Sequence, residues 1–149
     1  FVWWISIVRA SIAGSILSKF SVNAATDVTG FGLLGHAAEV CKSSNVSFEI
    51  NYNDIKFFSG VNKLAEQGIV PGGSKRNLSY ANQYTNFSDS ISQTERLMIA
   101  DAQTSGGLLI SLPEDNVNNF LEYYNSKSTI PAFQIGSVNT RKKSLITIS

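Results

Sequence analysis

A chain of 149 residues with 43% hydrophobic and 11% aromatic side chains can bury one substantial core and is too apolar to remain disordered. Twelve Lys and Arg against eleven Asp and Glu leave a formal net charge of +1, which excludes a partner drawn by net field alone, whether nucleic acid or an anionic membrane. One cysteine, Cys41, excludes an internal disulfide framework and a cysteine zinc cluster, and fits a reducing compartment; the reading is a cytoplasmic protein.

The chain opens on an apolar stretch, Phe1 to Ile7, in which Trp3 and Trp4 would suit an interface. Arg9 interrupts it too early for a membrane span of about 20 apolar residues, and neither a basic start nor a small-residue cleavage site marks a secretory signal. No membrane association is expected. Phe1 stands where an initiating Met would be, so it is read as other than a natural start. From Ile7 to Phe20, residues Ile7, Val8, Ile12, Ile16 and Leu17 fall at helical spacing and predict a first helix.

Ser21 to Thr29 is too polar for a buried strand and is read as a loop. A second helical stripe follows through Phe31, Leu33, Leu34, Ala37, Ala38 and Cys41, ending near Ser43 and Ser44 and burying Cys41. Val46, Phe48 and Ile50 alternate with Ser47 and Glu49, as in a half-buried strand. Ile55 to Gln67 carries Phe57, Phe58, Val61, Leu64 and Ala65 at helical spacing with Gly68 as terminator. Pro71 to Ser92, rich in Gly, Ser, Asn and Tyr, is read as a long irregular segment. Thr94 to Ala100 makes a short helix, and Leu108 to Leu112 an apolar strand. Pro113 starts a helix with Val117, Phe120, Leu121 and Tyr124 on one face and Glu114 and Asp115 at its positive end. Phe133 to Val138 and Leu145 to Ile148 are strands joined by the basic turn Asn139 to Lys143. With no internal repeat or boundary, residues 1–149 read as a single α+β domain, a two-to-three-layer sandwich of helices on a mixed β-sheet.

The chemistry-bearing residues concentrate in Asp27-Val-Thr-Gly-Phe-Gly-Leu-Leu-Gly-His36. A carboxylate is a hard ligand for Mg²⁺, and closely spaced glycines let backbone approach a bulky anion. Asp27 either serves such a site or simply caps a helix. Gly30 to Gly35 satisfies GxGxxG, but a dinucleotide fold needs an apolar strand immediately before it, and Ser21 to Thr29 is not read as one. The junction is read instead as a loop-to-helix turn whose Gly30 and Gly32 could face phosphate. His36, the only histidine, is expected to be packed and hydrogen-bonded. Lys75 and Arg76 either touch phosphate or lie on a solvated loop, and Gly106 and Gly107 mark tight packing, a loop bordering a site, or both.

Three segments together resemble the selenophosphate synthetase (selenide, water dikinase) family: Ala25 to His36; Gly68-Ile-Val-Pro-Gly-Gly-Ser-Lys-Arg-Asn77; and Gln103-Thr-Ser-Gly-Gly-Leu-Leu109. Their order and spacing also agree, from about residue 8 to the end, with residues 1–7 atypical. The resemblance implies the C-terminal domain of a two-domain enzyme, with the fold of the aminoimidazole ribonucleotide synthetase C-terminal domain, working as a homodimer. It implies a reaction of selenide, ATP and water that yields selenophosphate, AMP and phosphate, with Asp27 helping to bind Mg²⁺ and ATP phosphates. The family's ATP-binding N-terminal half, with its glycine-rich start and reactive Cys or selenocysteine, has no counterpart here, and Cys41 does not match the reactive position. No catalytic residue is therefore assigned, and the chain alone is expected to make no selenophosphate. A non-catalytic interaction or regulatory module, or a related ATP-dependent enzyme of the same superfamily, are the alternatives.

Overall fold

The computed structural model describes residues 17–104 and 106–149, together with the backbone of residues 3–8. Seven strands form one mixed sheet in the order β2-β5-β1-β6-β3-β7-β4. They are β1 (Trp3–Val8), β2 (Ala24–Asp27), β3 (Val46–Ile50), β4 (Thr85–Phe87), β5 (Leu108–Pro113), β6 (Phe133–Thr140) and β7 (Ile146–Ile148). Pairing is antiparallel from β2 through β3, and parallel between β3 and β7 and between β7 and β4. Among the described residues the α-helices are α1 (Gly32–Ser43), α2 (Val61–Glu66), α3 (Gly72–Ala81), α4 (Gln93–Ile99) and α5 (Glu114–Lys127).

Two apolar clusters show how the layers stack. Leu33, Leu34, Ala37, Ala38 and Cys41 of α1, with Leu78 of α3 and Ile99 of α4, pack on Phe48, Ile50, Leu109, Ile146 and Ile148 of the sheet. Val117, Phe120 and Tyr124 of α5 pack on Ile110 and Leu112. Consecutive strand residues point to opposite faces, so Leu109 in one cluster and Ile110 in the other place α5 across the sheet from α1. The expected α+β architecture of helices on a mixed sheet holds. Among the described residues no helix is long and apolar enough to cross a membrane.

Several local expectations fail for identifiable reasons. Ile7 and Val8 belong to β1, which sits between β5 and β6, and not to a helix; residues 9–16 of the predicted helix lie outside the described residues. Aromatic and β-branched residues dominate Trp3–Val8 and favour a strand. Ala24–Asp27, read as loop, is an edge strand paired only with β5, and an edge tolerates the polar, half-exposed sequence that argued against a strand. The helix expected from Ile55 shrinks to α2, which buries no residue, while Phe58 is 84% exposed; the helical spacing there was not a core stripe.

The segment expected to be irregular contains α3 and β4. The inward face of α3 runs Ser74, Asn77, Leu78, Ala81, at i, i+3, i+4 and i+7, with Ser74 fully buried. Two of those four positions are polar, which hid the helical period. Near the C-terminus, β6 and β7 are strands but not a hairpin, because β3 lies between them and the basic turn crosses its end. The short helix α4 forms as expected, started by a capping box in which Ser92 accepts from the Glu95 amide and Glu95 accepts from the Ser92 amide.

Candidate functional site

Asp27 ends β2 opposite Leu108 of β5, with its side chain exposed. It does not cap a helix. The residue preceding α1 is Phe31, and no side chain caps that helix. No hydrogen bond or ion pair engages the Asp27 carboxylate among the described residues, and no group of three His, Cys, Asp or Glu side chains there could by itself hold a metal ion.

Backbone bonds fix the turn that follows. The Val28 N–H donates to the Gly107 carbonyl at 2.8 Å, the Gln103 N–H to the Thr29 carbonyl at 3.0 Å, and the Gly32 N–H to the Thr29 carbonyl at 2.9 Å. Gly32 has φ +67°, and a Cβ there would stand 2.7 Å from the Asp101 carbonyl oxygen. Its glycine is thus required by packing against the end of α4. Gly30 differs: a Cβ there would meet nothing within 4 Å. The His36 Nε2 lies 3.0 Å from the Thr29 Oγ1 and its Nδ1 3.5 Å from a Glu39 carboxylate oxygen, so this buried histidine is packed and hydrogen-bonded, as expected.

Residues from the middle of the chain complete the arrangement. Asn77 Nδ2 donates to the Gly30 carbonyl at 2.9 Å and to the Ala100 carbonyl at 3.2 Å. The Ser74 hydroxyl donates to Asp101 Oδ1 at 2.5 Å, while Gln103 Nε2 donates to Asp101 Oδ2 at 2.7 Å. Each Asp101 oxygen is therefore occupied by a neighbour within the fold. Charge-assisted bonds of this kind are among the stronger ones a protein makes. The three sequence segments, separated by up to some 80 residues on the chain, meet around the Val28–Gly32 turn.

Ser74, Asn77 and Asp101 were missed in the sequence. Asn77 ends the middle segment and Asp101 precedes Gln103 by two residues, so a signal was present, but their partners lie far away on the chain. Lys75 goes elsewhere: with Leu78, Ser79, Asn82, Gln93 and Leu97 it lines an open groove of about 390 Å³ that includes no residue of Asp27 to His36. Arg76 is exposed, and among the described residues no ion pair joins it to Asp27. Cys41 is fully buried; burial pushes its thiol up to about 12, against a weaker opposing effect of the Phe48 backbone. It offers no thiolate for chemistry at neutral pH. Gly106 supplies close approach, since a Cβ on it would stand 2.1 Å from the Val28 carbonyl oxygen.

Comparison with known proteins identifies the family and the fold. The family model described as AIR synthase related protein, C-terminal domain, matches residues 7–148. A selenide, water dikinase from Aliarcobacter butzleri is 34% identical over 138 residues, covering 93% of this chain and 40% of that protein. Selenide, water dikinase 2 from Peptoclostridium acidaminophilum is 39% identical over 137 residues, covering 91% of this chain and 39% of the relative. The chain thus spans about two fifths of the length of these relatives. A chain of the crystallised HypE-HypF complex superposes with a TM-score of 0.62 at 15% identity, covering 99% of this chain and 49% of its own, a likeness of fold. This chain belongs to the AIR synthase related protein C-terminal domain family, and the relatives it matches at 34–39% identity are selenide, water dikinases.

Proposed function

We propose that the chain is the C-terminal part of an enzyme that forms selenophosphate from selenide, ATP and water with release of AMP and phosphate. The observation that carries the reading is the convergence of three distant segments on a turn whose Asp27 carboxylate is exposed and unengaged beside an unobstructed Gly30. Among the described residues nothing bonds the Asp27 carboxylate or fills the space where a Gly30 side chain would stand. A free carboxylate next to open backbone suits a cation paired with a bulky anion, and identity to selenide, water dikinases supports which reaction this serves.

The donor set fits Mg²⁺ as one contribution among several. Mg²⁺ is commonly held by one or two carboxylates plus substrate phosphates, so Asp27 would supply one oxygen, with others from ATP and the remainder of the longer protein. When bound, the ion would neutralise charge building on the phosphates. The chain's own residues do the positioning: Gly107 and Gln103 hold Val28 and Thr29, and Asn77 holds Gly30. Because transfer of a phosphoryl group depends chiefly on positioning and charge, a part that brings no nucleophile can still govern the rate. The reading includes ATP and selenide as substrates, a homodimer of the complete enzyme, and the cytoplasm as its location.

The test is Asp27→Asn in the complete polypeptide. Selenide-dependent AMP release should fall at least about tenfold at limiting Mg²⁺, the loss expected when a carboxylate ligand becomes a neutral amide, and the Mg²⁺ needed for half-activation should rise. An unchanged Mg²⁺ dependence removes Asp27 from the site. Selenophosphate detected by phosphorus NMR from the 149-residue chain alone would overturn its assignment as a part that needs the rest of the enzyme.

A further inference from the structure

We propose that Asn77 is a positioning residue for Mg²⁺·ATP use, a latch that holds the Gly30 peptide in the orientation the site requires; this rests on the function proposed above. Among the described residues Asn77 is the one side chain whose donors reach both the turn after Asp27 and the end of α4, at 2.9 Å from the Gly30 carbonyl and 3.2 Å from the Ala100 carbonyl. The two acceptors differ in setting. Ala100 is fully buried, whereas Gly30 is exposed, so Asn77 ties an exposed turn to a buried segment.

The rest of the turn is already secured by backbone. The Val28 N–H is bound to the Gly107 carbonyl and the Thr29 carbonyl to the Gln103 and Gly32 amides, whereas among the described residues no backbone group bonds the Gly30 carbonyl or the Phe31 N–H. Peptide units are planar and trans, so fixing the Gly30 carbonyl toward α3 also fixes the Phe31 N–H in the opposite direction, away from α3. Without the Asn77 amide this peptide is held only by the turn that the Gly32 N–H closes on the Thr29 carbonyl; Gly30, lacking a Cβ, tolerates a change in its ψ, and the φ of Phe31, −85° here, shifts with it.

The support beneath Asn77 is built from α3 as well. Ser74, one turn earlier and fully buried, donates to Asp101, and the Ala102 N–H donates to the Ser74 hydroxyl at 3.4 Å. Helix α3 is therefore clamped to the segment after α4 at one point and reaches the turn at the next. Asn77 touches no reacting group. It acts through Gly30, and its effect should fall on ligand binding more than on the chemical step.

The experiment uses Asn77→Ala and Asn77→Asp in the complete polypeptide. The second keeps the shape but presents a carboxylate to two carbonyl oxygens, so both variants lose the donors. Hydrogen exchange of a peptide spanning residues 28–32 should quicken about tenfold, as expected for losing two hydrogen bonds, while the Leu108–Pro113 strand stays protected. KM for Mg²⁺·ATP should rise about tenfold with kcat held within about threefold, a split that a general loss of stability does not produce. Unchanged exchange in both variants overturns the latch, and faster exchange with an unchanged KM overturns its positioning role. A wild-type polypeptide with no selenide-dependent ATP use defeats the functional reading instead, and the exchange result then decides the latch by itself.

Discussion

Substituting Gly106 by alanine tests the packing that joins the late segment to the Asp27 turn. The new Cβ would stand 2.1 Å from the Val28 carbonyl oxygen and 3.1 Å from its carbon, and real Cβ contacts essentially never fall below 3.0 Å, so the two backbones must part by about 0.9 Å. That shift would stretch the 2.8 Å bond from the Val28 N–H to the Gly107 carbonyl beyond bonding range. Overpacking costs about 1–3 kcal/mol and the lost bond about 1 kcal/mol, for a total of about 2–4 kcal/mol. At roughly 3 °C per kcal/mol for a chain of this size, the melting temperature should fall by about 6–12 °C. The assay is a thermal melt followed by far-ultraviolet circular dichroism. Gly30→Ala is the internal comparison: a Cβ there meets nothing within 4 Å and the backbone φ is not positive, so its melt should stay within about 2 °C of wild type. If the proposed function holds, the same Gly30→Ala change in the complete polypeptide should raise KM for Mg²⁺·ATP, because the added methyl would occupy space assigned there to phosphate. A Gly106→Ala protein that melts within about 2 °C of wild type would refute the close-approach argument.

Ser74→Ala leaves one Asp101 oxygen without its hydroxyl donor, which should cost about 1–3 kcal/mol and is measured by urea denaturation; a loss below about 0.5 kcal/mol would mean that water replaces the hydroxyl. Cys41 should react with a thiol reagent at pH 8 only after unfolding, as monitored by absorbance, because it is fully buried. Its thiol ionises at about 12 in the fold against 9.0 in the unfolded chain, so between those values the unfolded state holds fewer protons. Its contribution is intact below pH 9 and is lost as pH rises toward 12, so Cys41→Ala should flatten the alkaline fall in stability; an unchanged slope would assign that fall to other groups.

Where local pattern and packing agreed, the sequence was readable. The stripe Leu33, Leu34, Ala37, Ala38, Cys41 is the buried face of α1, and Val117, Phe120 and Tyr124 are the buried face of α5. Alternation in Val46–Ile50 marked β3, though Ser47, expected outside, is buried and bonded to the Ser144 carbonyl and the Lys142 amide. Reading failed where burial was satisfied by polar groups, as at Ser74 and Asn77, or where apolar groups were left outside, as at Phe58 and at Leu64, which is 48% exposed. Periodicity reports the distribution of apolar side chains. It is silent on hydrogen bonds made across 23 or 47 residues, such as those of Asn77.

By itself the sequence determined the α+β class, the two strong amphipathic helices, and the three segments whose order and spacing point to one family. Those properties are local or nearly so, carried by side-chain type and spacing. Tertiary structure alone decided that Asp27 ends an edge strand and does not cap a helix, that Gly32 and Gly106 are required by backbone approach while Gly30 is left open, and that Ser74, Asn77 and Asp101 clamp the turn. The physical reason is that each of these depends on which distant backbone groups arrive within about 3 Å, and that distance is set only when the whole sheet and its helices have packed.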